Sequence, residues 1–171
     1  MSKCEDKTRC EWANVSSEMM DYHDAEWGAQ PCDDNAYFES LTLEIFEAGL
    51  SWELIFNRRD AFRKAFGDFD VAVIANYGTD EFDRLMDTPG IVRNRRKIEA
   101  TADNARIFLE IQKENGGFGE WLNELTGDEE ELIQNLRKRF KFVGPSVARS
   151  FLHDVGRTSA PHDEKCWKNK G

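Results

Sequence analysis

The stretch Leu41–Trp52, LTLEIFEAGLSW, decides the fold because it predicts where one helix ends and the next begins. Apolar side chains recur at three- and four-residue intervals, the spacing of one helical face, at Tyr37, Phe38, Leu41, Ile45 and Ala48. Gly49 is expected to end this helix, because glycine enters the left-handed cap conformation without steric cost. Ser51 can then cap a second helix that starts at Trp52.

Glu44 is the unusual residue of this stretch. On a helical wheel it falls at the margin of the apolar arc, and it lies in the last turn, where the helix dipole disfavours a carboxylate by about 0.3–1 kcal/mol. Local rules that are broken together tend to mark a functional site. The alternative is a glutamate whose head group reaches solvent past its neighbours, and the pattern alone leaves both interpretations open.

The whole chain of 171 residues fits one domain, residues 1–171, with a real hydrophobic core. No apolar run approaches the ~20 residues needed to span a bilayer, and the first residues are polar, so we expect a cytoplasmic protein without a membrane anchor. In that reducing compartment the four cysteines are thiols or metal ligands rather than disulfides.

The net charge of −10 argues against a general polyanion binder, because phosphate contacts require Lys or Arg. The basic residues are nevertheless clustered, at Arg58–Arg59, Arg63–Lys64, Arg93–Lys97 and Arg137–Lys141.

Helical periodicity dominates the rest of the chain, so the predicted fold class is all-α. The expected helices span residues 52–66, 71–76, 79–87 and 94–113, with one ending near Arg139 and the last over 147–155. Asp34 is expected to cap the helix that carries Glu44. The run Val71–Ile74 could equally be a strand. The aromatic-rich first thirty residues have weak periodicity, which indicates a wall or lid packed on the remainder.

Thr88–Val92 contains a Pro-Gly turn between two predicted helices and is followed by Arg93, Arg95, Arg96 and Lys97. Backbone N–H groups at such a hairpin can bind an anion, so this is a candidate helix–hairpin–helix element for a DNA phosphate. The alternative is an ordinary helical hairpin with a solvated charge cluster.

A metal site is the other candidate constellation. His162 and Cys166 are four residues apart, and Cys10, or Cys4 in its place, could join His23 to complete two thiolates and two imidazoles, which suit tetrahedral zinc. The alternative is coincidence, since free cysteines often behave as small buried hydrophobes. No Ser/His/Asp or Cys/His nucleophile set and no phosphate-binding loop stand out. A carboxylate beside Trp and Tyr would suit a cationic, planar ligand.

Several short motifs occur in the order and near the spacing of one known family: Tyr22-His23-Asp24, Glu26-Trp27-Gly28, Leu43-Glu44, Ala48–Trp52, Gly90–Arg93, Lys97-Ile98, Asn104–Arg106 and Phe140–Gly144. The chain resembles DNA-3-methyladenine glycosylase I over nearly its whole length. The resemblance implies a helix–hairpin–helix DNA glycosylase fold, with structural zinc joining the two terminal segments through Cys10, His23, His162 and Cys166.

The resemblance also implies the activity, which is hydrolysis of the N-glycosidic bond of 3-methyladenine in alkylated double-stranded DNA. It implies that Glu44 recognises the base, that Tyr22 and Trp52 stack on or bond to it, and that Trp12 and Trp27 line the pocket. Gly49 and Leu50 would fill the gap left in the duplex. The hairpin around Gly90, with Arg93 and Lys97, would hold the DNA backbone. No hairpin lysine is present, so no strand cleavage is expected, and the chain is expected to act as a monomer.

Some residues depart from the family pattern. Glu47 stands where the family commonly has Gln, Met19 and Met20 precede Tyr22 where an additional aromatic is frequent, and the stretch before Phe140 is short. Two rival interpretations remain: a non-catalytic, zinc-stapled module that binds damaged DNA, and a helical protein-interaction domain.

Overall fold

The computed structural model describes residues 6–171. Over that range it contains helices and no strands, so the all-α prediction is confirmed. The α-helices of this range are α1 Ser17–Asp21, α2 Asp34–Glu47, α3 Trp52–Asn57, α4 Arg59–Ala65, α5 Val71–Ile74, α6 Thr79–Met86, α7 Arg95–Asn115, α8 Phe118–Glu124, α9 Glu129–Arg139 and α10 Pro145–Asp154.

The chain divides into two compact units, and α10 crosses from one to the other between Phe151 and Leu152. The smaller unit comprises residues up to 30 together with 152–171, and the larger unit comprises 31–151. The single domain expected for residues 1–171 stays a prediction.

Short helical turns make up the first part of the smaller unit. A 3-10 turn, Glu11–Val15, precedes α1, and a π-helical turn, Tyr22–Glu26, follows it. Ser16 caps α1, since its hydroxyl accepts a hydrogen bond from the Met19 N–H at 3.1 Å. None of the helical turns in residues 6–30 exceeds five residues, in keeping with the weak periodicity of this segment.

The start of α2 lies one residue earlier than the predicted cap. Asp33, not Asp34, is the N-cap, because the Asp33 carboxylate accepts the Ala36 N–H at 2.8 Å. Asp34 instead ties α2 to its neighbours: its Oδ2 accepts hydrogen bonds from the Gln112 side chain at 2.8 Å and from the Phe118 N–H at 2.9 Å.

The single helix predicted over residues 52–66 is wrong, because the backbone breaks at Arg58, where φ is −102° and ψ is 4°. Its N–H still bonds to Ile55 O at 3.0 Å, so the chain makes one tight turn and then enters α4. Ile55 and Phe62 are both fully buried on either side of the break. The apolar residues keep their helical spacing across the break, so the sequence pattern does not indicate that the helix is interrupted.

The core of the larger unit is built from phenylalanine rings packed against α7. Phe108 of α7 stacks on Phe118 of α8 with ring centroids 4.2 Å apart, and it meets Phe38 of α2 edge-on at 5.1 Å. Val71–Ile74 is helical and capped by Asp70, so the strand alternative is wrong. Helix α8 was not predicted.

Two turns lie next to α7 in this unit. Residues 87–94 connect α6 to α7, and residues 140–144 connect α9 to α10. In the first turn Gly90 has φ of +86°, and a Cβ there would lie 3.0 Å from Ala61 Cβ, so glycine is required both by conformation and by space.

Candidate active site and metal cluster

Glu44 lies in the last turn of α2 and is only 6% exposed. The interpretation in which its head group reaches solvent is therefore wrong. A buried carboxylate is costly unless it has a partner, and a positive charge is the partner that offsets this cost best. Its neighbours along the helix, Leu41 and Ile45, are buried apolar residues.

The chain leaves α2 through a tight turn. Ala48 is extended, Gly49 has φ of +84°, and the Leu50 N–H bonds to Glu47 O at 2.7 Å, the pattern of a type II turn. The left-handed conformation predicted for Gly49 is confirmed. Leu50 is 43% exposed at the tip, and Ser51 then caps α3 by accepting the Leu54 N–H at 3.2 Å.

The side chain of Lys97 is directed at this same turn. Its ammonium group donates hydrogen bonds to Ala48 O at 3.0 Å and to Phe46 O at 3.4 Å, which are carbonyls at the C-terminus of α2. Burial lowers the pKa of Lys97 and raises the pKa of Glu47, and the attraction between the two groups partly offsets both shifts. The Lys97 ammonium thus stabilises the end of α2 and the acidic residue beside it.

Three aromatic residues predicted to line the base pocket come together in the smaller unit. The Trp12 ring meets Trp27 edge-on at 5.0 Å and Tyr22 at 6.2 Å. The Tyr22 hydroxyl donates a hydrogen bond to the Asp154 carboxylate. Trp52, the fourth predicted aromatic, belongs to the larger unit, where its ring lies 6.3 Å from that of Phe56.

The predicted metal ligands Cys10, His23, His162 and Cys166 form one cluster in the smaller unit, with their ligand atoms all within 4.8 Å of one another. The Cys166 sulfur lies 3.4 Å from His23 Nε2 and 3.5 Å from His162 Nδ1, and the Cys10 sulfur lies 3.5 Å from His162 Nδ1. Cys4, the alternative thiol, lies outside the described residues. Cys32 is exposed and is not one of the cluster residues.

Hydrogen bonds orient His23 within this cluster. Its Nδ1 lies 2.9 Å from Asp24 Oδ1, so the ring donates to the carboxylate and turns Nε2 towards the sulfur of Cys166. Burial raises the pKa of Asp24, but hydrogen bonds from Arg9 and His23 outweigh this effect and bring the pKa well below its usual value. Asp24 is therefore an ionised partner of His23, the arrangement in which a carboxylate fixes the orientation of a metal-binding histidine.

The ionisable groups of the cluster differ in how ready they are to bind a metal. Burial raises the pKa of Cys10 to about 11; the hydrogen bond from the Asp163 N–H opposes this rise, and Cys166 adds to it. Burial and the nearby His23 lower the pKa of His162, which keeps that imidazole neutral. A metal that bound here would displace the thiol proton of Cys10 but none from His162.

The basic cluster after Gly90 divides into paired and unpaired residues. Arg95 is paired with Asp83 and, at 3.0 Å, with Glu99. Arg93 and Arg96 are exposed, and within residues 6–171 neither forms an ion pair. Two of the cationic side chains in this segment are therefore available to an external anion.

The turn at residues 140–144 lies close to Arg96. Asn104 is buried and clamps this turn: its side chain donates to Lys141 O at 3.1 Å and accepts the Lys141 N–H at 2.8 Å. Phe142 follows with φ of +58° and is 49% exposed. An open concavity of about 390 Å³ borders this turn, lined by Arg96, Glu99, Ala100, Asp103, Lys141 and Phe142. Both acidic residues of the lining have partners, because Glu99 pairs with Arg95 and Asp103 with Arg106 at 2.8 Å.

Sequence reasoning missed Asp154, Lys141 and the clamp by Asn104. The fragment Phe140–Gly144 lies between two amphipathic helices, which is a sufficient signal for a second hairpin. Its Lys141 is also the last residue of the basic run Arg137–Lys141, and that run alone does not indicate a site. Asp154 had no local signal, since its partner Tyr22 is 132 positions away.

No helix in residues 6–171 is both long enough and apolar enough to cross a membrane.

Comparison with known proteins gave one consistent result. Residues 12–139 match the family model described as methyladenine glycosylase. DNA-3-methyladenine glycosylase of Haemophilus influenzae is 32% identical over 169 residues, covering 87% of this chain and 91% of that protein. A crystal structure of 3-methyladenine DNA glycosylase I superposes with a TM-score of 0.84 at 30% identity, covering 94% of this chain and 99% of the other. A second crystal structure is that of a variant with a tyrosine replaced by phenylalanine, in complex with 3-methyladenine. It superposes with a TM-score of 0.81 at 31% identity, covering 92% of this chain and 95% of the other.

Proposed function

The chain belongs to the methyladenine glycosylase family, and from this premise we propose that it hydrolyses the N-glycosidic bond of 3-methyladenine in alkylated DNA. The observation that carries the proposal is the burial of Glu44, 6% exposed, at the end of an otherwise apolar helix face. Methylation at N3 gives the base a positive charge, and a buried carboxylate attracts such a charge more strongly than an exposed one would. The same charge makes the base a good leaving group, so little acid catalysis is needed.

Base recognition is assigned to the residues that the family resemblance implies. Glu44 pairs with the cationic base, Tyr22 and Trp52 stack on it or bond to it, and Trp12 and Trp27 line the pocket. The edge-on packing of Trp12 on Tyr22 and Trp27 supports a shared aromatic wall. A nucleotide that leaves the duplex loses stacking worth a few kcal/mol, least for a damaged base.

The turn after α2 is proposed to fill the gap that the extruded base leaves. Gly49 gives the turn its left-handed conformation, and Leu50 is exposed at its tip, so an apolar side chain is available to replace the lost stacking. Glu47 precedes the turn, and the nearby Lys97 limits the repulsion that this carboxylate would exert on DNA phosphates.

DNA backbone contacts are proposed around the concavity that borders α7 and the turn 140–144. The first turn of α7 supplies Arg96, with Arg93 in the turn before it, and residues 140–144 supply Lys141. The helix pair α9–α10, joined by the five residues 140–144, fits a helix–hairpin–helix element better than α6–α7, which is joined by the eight residues 87–94. Lys97, predicted to bind DNA, has its ammonium group on the carbonyls of α2, so we expect its contribution to come through that helix.

Structural zinc is proposed for the Cys/His cluster. Tetrahedral zinc with Zn–S of about 2.3 Å and Zn–N of about 2.05 Å separates sulfur from nitrogen by about 3.6 Å. The observed separations of 3.4 and 3.5 Å fit that geometry. Zinc would supply no chemistry to base release. It would link Cys10 and His23 to His162 and Cys166 and thereby support the wall formed by Trp12 and Trp27, which pack on the two histidines.

A base-release assay tests the proposed function. Wild-type protein is expected to release free 3-methyladenine from methylated duplex DNA, and Glu44→Gln is expected to reduce the rate by about 100-fold, because the charge is lost while the shape is kept. Glu53→Gln, at an exposed position at the start of α3, is the matched control and should act like the wild type.

Two other outcomes would contradict the proposal. Binding of methylated duplex without release would favour the non-catalytic, zinc-stapled module, and no preference for methylated DNA would favour the protein-interaction domain. An intact strand after release is expected, since the turn 87–94 contains no lysine to form a Schiff base and Lys141 is assigned to the DNA backbone. We also propose a cytoplasmic location, because a reducing compartment keeps Cys10 and Cys166 as thiols. The monomeric state stays a prediction that light scattering would test.

A further inference from the structure

Phe142 is the exceptional residue of the turn 140–144. Its backbone is left-handed, with φ of +58°, a conformation that a bulky side chain rarely adopts. The neighbouring apolar residues Phe140 and Val143 are buried, whereas the Phe142 side chain is 49% exposed. A strained backbone persists only where its surroundings hold it, and such outliers cluster at functional sites. The turn therefore presents an aromatic ring to solvent at a cost in conformation.

Asn104 holds this turn in place from α7. Its side chain is 1% exposed and bonds twice to the residue before Phe142: it donates to Lys141 O at 3.1 Å and accepts the Lys141 N–H at 2.8 Å. A buried amide with both ends satisfied is costly to rearrange, because any movement leaves polar groups unpaired. The clamp thus keeps the unfavourable backbone at Phe142 in place.

The charges around the ring favour a polyanion as its partner. Phe142 lines the same concavity as Lys141 and Arg96. Among residues 6–171 neither of these cations pairs with an acidic group, whereas Glu99 and Asp103 of the same lining are each paired with another arginine. A nucleic-acid backbone offers phosphates to the cations and deoxyribose to an apolar ring.

We propose that Phe142 is a DNA-contact residue, whose ring packs on deoxyribose beside the phosphates that the cations of this concavity bind, and that Asn104 positions it for this contact. This inference rests on the proposed function, in which the turn 140–144 meets the DNA backbone. A contact between ring and sugar reads no base, so it strengthens binding to methylated and unmethylated duplex alike.

Phe142→Asn tests the ring, because asparagine tolerates the left-handed conformation and the ring alone is lost. Its affinity for unmethylated duplex, measured by fluorescence anisotropy at fixed salt, is expected to fall by about 5-fold. The slope of log K against log salt concentration should stay unchanged, since the ring carries no charge. With methylated duplex, KM should rise while kcat is kept, and the denaturation midpoint should stay near that of the wild type.

Asn104→Ala tests the positioning role. Release of the turn removes the ring contact and the Lys141 contact together, so affinity is expected to fall by about 10-fold and the salt slope by about 1. Adding Phe142→Asn to this variant should then weaken binding less than it does in the wild type. Thr101→Val is the matched control and should change neither quantity, because Thr101 is also buried on α7 but its hydroxyl bonds within the helix, to Lys97 O.

Two further variants and outcomes keep the roles separate. Asn104→Asp keeps the shape and the acceptor but loses the donor, so a smaller loss of affinity in this variant decides the positioning role if the alanine variant does not fold. Wild-type affinity in Phe142→Asn would overturn the ring contact, and wild-type affinity in both Asn104 variants would overturn the clamp. A wild-type protein that binds duplex but releases no 3-methyladenine would instead contradict the proposed function.

Discussion

Gly90 and Gly49 show at the scale of one residue how the same conformation can have different consequences. Both have positive φ, near +85°, but a Cβ at Gly49 would meet nothing within 4 Å, whereas one at Gly90 would lie 3.0 Å from Ala61 Cβ. Backbone strain is therefore common to both positions, and close packing is specific to Gly90.

Gly90→Ala is expected to lower the free energy of unfolding more than Gly49→Ala. Left-handed backbone costs a non-glycine residue about 1–2 kcal/mol, and only Gly90→Ala adds a close contact. Chemical denaturation of both variants measures the difference. Adding Ala61→Gly removes the close contact, so it should restore the stability that Gly90→Ala loses through that contact. The same addition should have no such effect in Gly49→Ala. Equal destabilisation of the two single variants would contradict this prediction.

At the scale of a helix, the C-terminus of α2 depends on a side chain 51 positions along the chain from Phe46. The dipole places partial negative charge at this end, where Glu44 and Glu47 add two carboxylates. The ammonium of Lys97 is the counter-charge, and it bonds to the carbonyls of Phe46 and Ala48.

Lys97→Met is expected to lower the free energy of unfolding by about 1–2 kcal/mol, since carbonyls of the helix end lose a charged donor. Lys97→Arg keeps the charge, so its free energy of unfolding should fall by less. Denaturant titration measures both variants, and base release should fall along with stability because Leu50 and Glu44 lie on the affected turn and helix. A Lys97→Met variant as stable as the wild type would contradict the capping role.

The end of α2 and the start of α3 could be predicted from sequence because their determinants are local. Gly49 and Ser51 act within a few residues of their own position, and the structure has both as expected. The break at Arg58 could not be predicted, because Ile55 and Phe62 continue the same apolar period across it. Glu44 could be identified as exceptional, but its burial depends on packing that no local pattern contains.

At the scale of the whole molecule, the clustering of Cys10, His23, His162 and Cys166 could be predicted because the residue types are rare. The chain has four cysteines and three histidines, so few combinations exist, whereas it has 33 acidic residues among which Asp154 could not be singled out. Residue chemistry thus identified the cluster, and only the three-dimensional structure identified the partner of Tyr22.

Removal of the proposed zinc is expected to destabilise the smaller unit, because the cluster joins the two chain segments of that unit. Purified protein should contain about one equivalent of zinc, and a chelator should lower the thermal unfolding temperature. Metal analysis and calorimetry check the two statements, with Cys32→Ser as a control that should change neither. A folded sample with much less than about one equivalent would contradict the zinc assignment.

DNA binding by a chain of net charge −10 must rely on a few unpaired cations. Arg96→Gln and Lys141→Gln are each expected to reduce the slope of log K against log salt concentration by about 1. Lys97→Met is the control and should leave the slope unchanged, because its ammonium is bound to carbonyls of the protein. Titration of duplex DNA at several salt concentrations measures the slopes, and unchanged slopes in the first two variants would contradict the proposed backbone contacts.

The Cys/His cluster also has a consequence for synthesis of the protein. Cys10 and His162 are separated by 152 positions, so in the proposed zinc site a nascent polypeptide could not complete the coordination sphere until almost all of these 171 residues had been translated. A product of premature termination before codon 166 would lack one of the four proposed ligands, and the zinc could not then support the wall of Trp12 and Trp27. Only chains synthesised through that codon would then become competent to repair a genome.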